Sequence, residues 1–166
     1  YKIVLDSIKM HHLEQVAFHD PLTGLGNRSS LWDCLQKLTK TDRTFSVLFM
    51  DLDRFKAIND QYGHLTGAAY LKHFARISSS ILRGYGTVYR FGGDEFVAVC
   101  PGKIPAAVME QLKECKEWED GSPCPFNQVS TGIVTCLPPH PGVEEILHQV
   151  DQMMYQNKAA KHQTSR

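Results

Sequence analysis

The chain has no apolar run approaching the roughly 20 residues that span a bilayer, and no charged-then-apolar leader opens it. The expectation is a domain that sits in water. It has no excess of charge of either sign: 18 Lys and Arg balance 18 Asp and Glu over 166 residues. No overall field then draws it to nucleic acid or to an anionic membrane surface, and any phosphate binding has to be local. It has no C-x-x-C pair. Its five cysteines, Cys34, Cys100, Cys115, Cys124 and Cys136, are scattered and odd in number, which predicts reduced thiols rather than a disulfide framework or a zinc site. The eight histidines are equally dispersed, and adjacent His11 and His12 face different sides of any helix, so they are poor joint metal ligands. There is no internal repeat or low-complexity tract. What remains is 42% hydrophobic and 22% charged, enough for one domain with its own core. The chain opens on Tyr1 rather than Met, which is expected of a piece of a larger protein.

Ile3, Leu5, Ile8, Leu13 and Val16 make a loose helical stripe over residues 1 to 18, ending before His19-Asp20-Pro21. Two readings stand: a helix packed on the body of the domain, or a linker helix ending a coiled coil that arrives from an upstream sensor. Residues 19 to 166 form the domain proper. Helical spacing predicts helices over 28 to 39, 65 to 82, 104 to 117 and 143 to 162. Residues 44 to 52 (TFSVLFMDL), 88 to 91, 95 to 100 and 127 to 136 read as strands, and 118 to 125 as loop. This order predicts an α+β fold, a mainly antiparallel sheet covered by helices.

Acidic residues collect at two strand ends. Asp51 and Asp53 flank Leu52, and alternation puts both carboxylates on one face. Asp94 and Glu95 follow Gly92-Gly93 in a tight hairpin, where the missing Cβ atoms let a ligand come close. Should the hairpin lie beside the first strand, the carboxylates converge and need a cation between them. Hard oxygen ligands with open positions suit Mg²⁺, which completes its shell with water and phosphate. Arg54-Phe55-Lys56 opens a short helical turn whose free N–H groups suit a phosphate, with Lys56 adding charge. Lys158 and Lys161 lie three apart on the last helix, placed to close over the same phosphates or to remain a solvated face. A metal with cationic phosphate clamps is what phosphoryl or nucleotidyl transfer needs.

Arg90 to Phe96 (RFGGDEF) is the signature of the GGDEF family, and the chain resembles that family from residue 17 to about residue 162. Asp20 to Arg28 (DPLTGLGNR) resembles the segment that opens such domains. Asp51 to Asp60 (DLDRFKAIND), followed by Tyr62-Gly63-His64, matches the central motif, and Ser130 to Ile133 and Asp151 to Lys158 fit in order. The resemblance implies a palm-like nucleotide-cyclase fold and a cytoplasmic diguanylate cyclase. Two facing copies, each holding one GTP, would form cyclic di-GMP and release two pyrophosphates with Mg²⁺ or Mn²⁺. Carried over by motif, Asp51, Asp94 and the Leu52 carbonyl would hold the metal. Glu95 would assist there or activate the 3′-hydroxyl, with Asp94 as its catalytic companion. Phe55, Lys56 and Lys158 would bind phosphate, Asn59 would contact the guanine, and Gly92, Gly93 and the position of Ala68 would complete the substrate site. The implied partners are GTP, cyclic di-GMP, a second copy of the domain and an upstream sensory domain, with no nucleic acid and no membrane insertion.

Three positions depart from the family pattern. Ala68 stands where a guanine-reading Asp closes the Gly63-His64-Leu65-Thr66-Gly67 run, and Ala cannot accept those hydrogen bonds. The product-inhibition motif Arg-x-x-Asp falls on Arg83-Gly84-Tyr85-Gly86, so Arg83 is left without its acidic companion. His162 aligns with a phosphate-binding Arg and is a weaker clamp. These departures keep two alternatives beside the cyclase: a nucleotide-binding regulatory module with little turnover, and a cyclase of relaxed base choice making cyclic GMP-AMP.

Overall fold

The structure is a computed structural model that describes residues 2–114, 124–126 and 128–164. In chain order it runs α1 (Lys2–Phe18), α2 (Arg28–Thr39), β1 (Phe45–Leu52), α3 (Phe55–Tyr62), α4 (His64–Ile81), β2 (Thr87–Gly92), β3 (Glu95–Pro101), α5 (Ala106–Lys113), β4 (Val129–Cys136) and α6 (Val143–Thr164). The strands form one sheet in the order β2-β3-β1-β4, with every neighbouring pair antiparallel. The expected α+β architecture is the one observed.

β1 is buried at every position, which is why it reads as a nearly unbroken apolar run. Its pleat divides the core. Leu48, Met50 and Leu52 join Ile58, Tyr70, Phe74, Val108 and Leu112 under α3, α4 and α5. Phe45, Val47 and Phe49 join Leu31, Leu35, Ile146 and Val150 under α2 and α6. By the same period of two, Asp51 falls on the α2 and α6 side.

The structure differs from the sequence reading in three main respects. The short turn expected after Arg54 is an eight-residue helix, α3. Gly63, at φ +89, separates it from α4, a backbone that glycine adopts without a Cβ penalty. α5 starts at Ala106 rather than 104 because Pro105 is extended, at φ −61 and ψ 142. The ends of the predicted 104 to 117 helix and 127 to 136 strand, and most of the 118 to 125 loop, lie outside the described residues. α1 buries none of its residues, which overturns the reading of a helix packed on the domain body. Its C-terminal end is held where Asn27 donates from Nδ2 to the Ala17 carbonyl (2.9 Å) and from its backbone N–H to the Phe18 carbonyl (2.9 Å). Among the described residues, no helix is long and apolar enough to cross a membrane.

α6 lies directly on β4 at Gly132. A Cβ there would meet the Met154 amide nitrogen, and would come within 2.8 Å of the Val150 carbonyl oxygen and 2.9 Å of Met154 Cα. These neighbours are helix backbone and cannot rotate aside. Gly132→Ala is therefore expected to cost about 1–3 kcal/mol through overpacking, measured by urea unfolding. An unchanged midpoint would show that α6 is not seated against this strand.

Candidate active site

The register of β1 and β3 sets Asp51 opposite Glu95, and the Leu52 N–H donates to the Asp94 carbonyl (3.2 Å). These two contacts bring the two acidic strand ends together. On the other side of β1, Asp51 is opposite Ser130 of β4, so Asp51 is 7% exposed. Lys158 reaches in from α6 and donates from Nζ to Asp51 Oδ2 at 2.6 Å. The second oxygen, Oδ1, is buried with no hydrogen-bond partner.

Like charges set opposite each other across a strand pair destabilise it, and the proton affinities record this. Burial, then the charge and contact of Asp51, raise Asp94 above its ordinary value. Burial, then Asp51, Asp94 and Asp151, raise Glu95. Burial opposes the charge on Lys158, but its hydrogen bond to Asp51 and the fields of Asp51, Asp53 and Asp94 outweigh this and raise it.

The surrounding frame holds this crowded group still. Ser130 Oγ donates to Asp53 Oδ1 (2.6 Å), and the Asp53 N–H donates to the Gln128 carbonyl (2.9 Å). Asn157 Nδ2 donates to the Thr131 carbonyl (2.8 Å), pinning α6 to β4 one residue before Lys158. Arg90 donates to both carboxylate oxygens of Asp20 (3.0 and 3.1 Å) and, from Nε and Nη2, to the Gly93 carbonyl (3.1 and 2.8 Å). The loop before α2 is thereby latched to the glycine hairpin. Burial works against the Asp20 charge, but hydrogen bonds from Thr23 and Arg90 prevail and lower its pKa. Arg54 takes the left-handed conformation, φ 59, at the start of α3, with no side-chain cap on the helix. A non-glycine residue there is uncommon. Lys56 is exposed beside this N-terminus, whereas the Phe55 ring turns into the core, 5.9 Å from Tyr70. Only the Phe55 backbone faces the use expected of it.

Asn59 lies against Gly67, where a Cβ would collide with its side-chain oxygen and come within 2.9 Å of its Cγ. The structure thus brings Asn59 beside Gly67, and the next residue, Ala68, carries no hydrogen-bonding side chain. At the far end of the sheet Arg83 is exposed in the α4–β2 turn. Gly86 has no room for a side chain, since a Cβ would meet Cys100 Sγ and the Val99 carbonyl and lie 2.9 Å from Cys100 Cα. A cavity of about 520 Å³ lined by Cys34, Leu38, Phe45, Tyr85 and Val99 lies at that end, away from the acidic residues. Lys161 and His162 are on α6, but their side chains lie outside the described residues.

The donor set fits a hard divalent cation in one specific sense. Asp51 Oδ1 is a buried oxygen without a partner, in contact with a second carboxyl, that of Asp94. Among the described residues no three His, Cys, Asp or Glu side chains form a ready-made cage. The sequence reading did not assign Ser130, Asn157 or the Arg90–Asp20 pair. Ser130 and Asn157 act through register and helix docking, which carry no local sequence signal. Arg90 and Asp20 lay inside recognised motifs and were legible as positions, though not as partners.

Comparison with known families matches residues 17–164 to "Diguanylate cyclase, GGDEF domain". Diguanylate cyclase DgcS of Shewanella oneidensis is 32% identical over 166 residues, 95% of this chain and 55% of that protein. The bifunctional diguanylate cyclase/cyclic di-GMP phosphodiesterase MucR of Pseudomonas aeruginosa is 46% identical over 98 residues, 57% of this chain and 14% of that protein. The chain thus spans from about half to a small part of these relatives. Among solved structures, the coiled coil and GGDEF domain of DgcB from Caulobacter crescentus, in complex with c-di-GMP, superposes with a TM-score of 0.79. It is 23% identical, over 96% of this chain and 91% of that one. The GGDEF domain of YfiN from Pseudomonas aeruginosa gives a TM-score of 0.67 at 31% identity, over 86% of this chain and 89% of that one.

Because Asp94 and Glu95 hold protons more tightly than in the unfolded chain, their contribution to stability is full below the unfolded carboxylate range and is lost as pH rises through the folded values. In metal-free buffer, Asp94→Asn should therefore melt above the parent domain near neutral pH. The gap should close towards about pH 3, where the native carboxyl is itself protonated. Equal melting temperatures across that range would show that the carboxylates do not repel.

Proposed function

The chain belongs to the GGDEF family of diguanylate cyclase domains, and on that premise we propose that two copies of it convert two GTP molecules into cyclic di-GMP and two pyrophosphates. The observation that carries the reading is Asp51: one carboxylate oxygen buried without a partner, the other on Lys158, with Asp94 and Glu95 converging beside it. A carboxylate group so placed is built to meet positive charge, through which it can reach phosphate.

Asp51, Asp94 and the Leu52 carbonyl would hold Mg²⁺ or Mn²⁺. Leu52 contributes its backbone because its side chain is in the core on the opposite face. Bound there, the ion supplies charge for the α-phosphate and makes the attacking hydroxyl more acidic. The N–H groups at the start of α3, with Lys56 and Lys158, receive the remaining phosphates. Glu95 accepts the proton of the ribose 3′-hydroxyl, and its raised pKa makes it the stronger base. The 3′ oxygen bonds to the α-phosphorus of the other nucleotide as the bond to the β-phosphate oxygen breaks, and pyrophosphate leaves. The same exchange in the opposite direction closes the ring.

Each domain offers one such site, so the two nucleotides react only across a pair of domains. α1 supplies a surface for that pairing: Ile3, Ile8, Leu13 and Val16 are each at least 60% exposed, and the apolar stripe suits the same helix of a second copy. An upstream sensory domain acting through α1, as a cytoplasmic signalling arrangement, accords with relatives that are much longer than this chain.

Ala68 favours one refinement. With Ala68 in place of a carboxylate, guanine loses an acceptor and adenine loses a mismatch, which supports a relaxed base choice with cyclic GMP-AMP as a second product. Mass spectrometry after incubation with Mg²⁺ or Mn²⁺ and GTP, ATP or both tests this, with Asp94→Asn as the blank. Cyclic di-GMP from GTP alone, absent in the variant, is expected, and a mixed dinucleotide would establish relaxed choice. No product from a folded domain dimerised through an added coiled coil would overturn the cyclase in favour of a regulatory nucleotide-binding module. Ala68→Asp should tighten GTP binding by about ten-fold, the worth of one hydrogen bond to a charged group. Unchanged affinity would place base reading elsewhere.

A further inference from the structure

Three observations converge on Lys158. Its ammonium is 2.6 Å from Asp51 Oδ2, on the carboxylate whose other oxygen is buried and unpartnered. It is the cation whose field both Asp94 and Glu95 feel. The helix that carries it is fixed, by the Asn157 amide on the Thr131 carbonyl (2.8 Å) and by the backbone of Met154 against Gly132. The α6 backbone therefore does not move away to release the pair. The Lys158 side chain can, since it is 32% exposed and ends a flexible four-carbon stem.

A divalent ion on Asp51 Oδ1 would share one carboxylate with the ammonium on Oδ2. Across that carboxylate the two cations repel each other, so the ammonium lowers the affinity of the site for the ion. A nucleotide triphosphate removes the conflict by offering the ammonium another anion.

We propose that Lys158 is a placeholder cation: in the free domain it neutralises Asp51 and opposes metal, and the incoming triphosphate draws it off, so that metal and nucleotide each favour the binding of the other. The proposal rests on the reading of Asp51 as a metal ligand. It adds an ordering to that site. Metal alone binds weakly, nucleotide alone meets an uncompensated acidic group, and the two together are accommodated. Reciprocity follows from linkage: the factor by which triphosphate tightens metal is the factor by which metal tightens triphosphate.

The test is Mn²⁺ binding to the domain without nucleotide, read by the electron paramagnetic resonance signal of free Mn²⁺ or by calorimetry. Lys158→Met should bind Mn²⁺ about ten-fold tighter than the parent domain, the worth of one charge-assisted hydrogen bond that the metal no longer has to displace. Lys158→Arg, which keeps a cation on Asp51, should stay close to the parent. The gain should survive about 1 M salt, where the screening length falls to about 3 Å and an effect of distant charge would vanish. With the unreactive 3′-deoxy-GTP, Mn²⁺ should tighten nucleotide binding more in the parent than in Lys158→Met. Lys158→Gln is the second variant should the Met form fail to fold.

Loss of Mn²⁺ binding in Asp51→Asn with no gain in Lys158→Met or Lys158→Gln would overturn the placeholder and leave the metal site standing. Undiminished Mn²⁺ binding in Asp51→Asn would overturn the metal reading and the placeholder with it.

Discussion

The antiparallel register of the two central strands places Asp51 opposite Glu95 with Asp94 in the adjoining turn, and that enforced meeting of carboxylates is the constraint around which the rest of the molecule is arranged. A strand pair left to itself would slip or splay to relieve it. Slippage is forbidden here because β1 is buried on both faces. A shift of one residue would exchange its two apolar sets between the α4 face and the α6 face, each already filled with side chains shaped for the other. The apolar core thus holds the acidic end closed, and burial first, then repulsion, raises the proton affinity of Asp94 and Glu95.

Containment of that charge comes from elements far apart in sequence. Lys158 lies 107 residues from Asp51, and it arrives because α6 is seated on Gly132 and hydrogen-bonded at Thr131. Ser130, on the same strand, steadies Asp53 across 77 residues. Arg90 reaches back 70 residues to Asp20 while its other nitrogens hold the Gly93 carbonyl. Side chains that stabilise the site and side chains that create its strain are therefore different residues. A site assembled in this way trades some stability of the metal-free domain for a strong preference for cations, the usual direction of the balance at functional positions.

The sequence made legible what is local. The strand ending in Asp51, the glycine hairpin and the helical stripe leading to Lys158 each carry a period or a turn signal. Together with the ordered motifs, they gave the fold class correctly, and the condition on which the two acidic ends converge, the hairpin beside the first strand, is met. The length of α3 was hidden because an eight-residue helix with Arg54 in the left-handed conformation and no side-chain cap lacks the usual start signal. The exposure of α1 was hidden because an apolar stripe reads alike whether the domain or a partner covers it. Asn157 and Ser130 were hidden for a third reason. A polar residue on a helix, or a serine in a strand, becomes meaningful only when docking decides which backbone carbonyl or carboxylate it meets. Ala68 and Gly86 were readable only as departures, and the structure supplied their surroundings: the Asn59 side chain against neighbouring Gly67, and a glycine with β3 backbone where a side chain would have to go.

The connection between α1 and the acidic hairpin is short. Asn27 ties the C-terminal end of α1 to the start of α2, accepting from the Ser30 N–H (3.1 Å) while donating to the Ala17 carbonyl (2.9 Å). The neighbouring Gly26 carbonyl accepts from the Arg90 N–H (2.9 Å), and the Arg90 side chain ends on the Gly93 carbonyl, one residue from Asp94. The C-terminal end of a helix of 17 residues, about 26 Å long, is thus joined to the glycine hairpin through three residues, each held by hydrogen bonds. Under the proposed function, two copies joined along α1 would have the relation between their hairpins set by these bonds. The distance from one bound nucleotide to the other would then depend on how the two helices cross, and the chemistry inside each domain would stay the same whatever that crossing is.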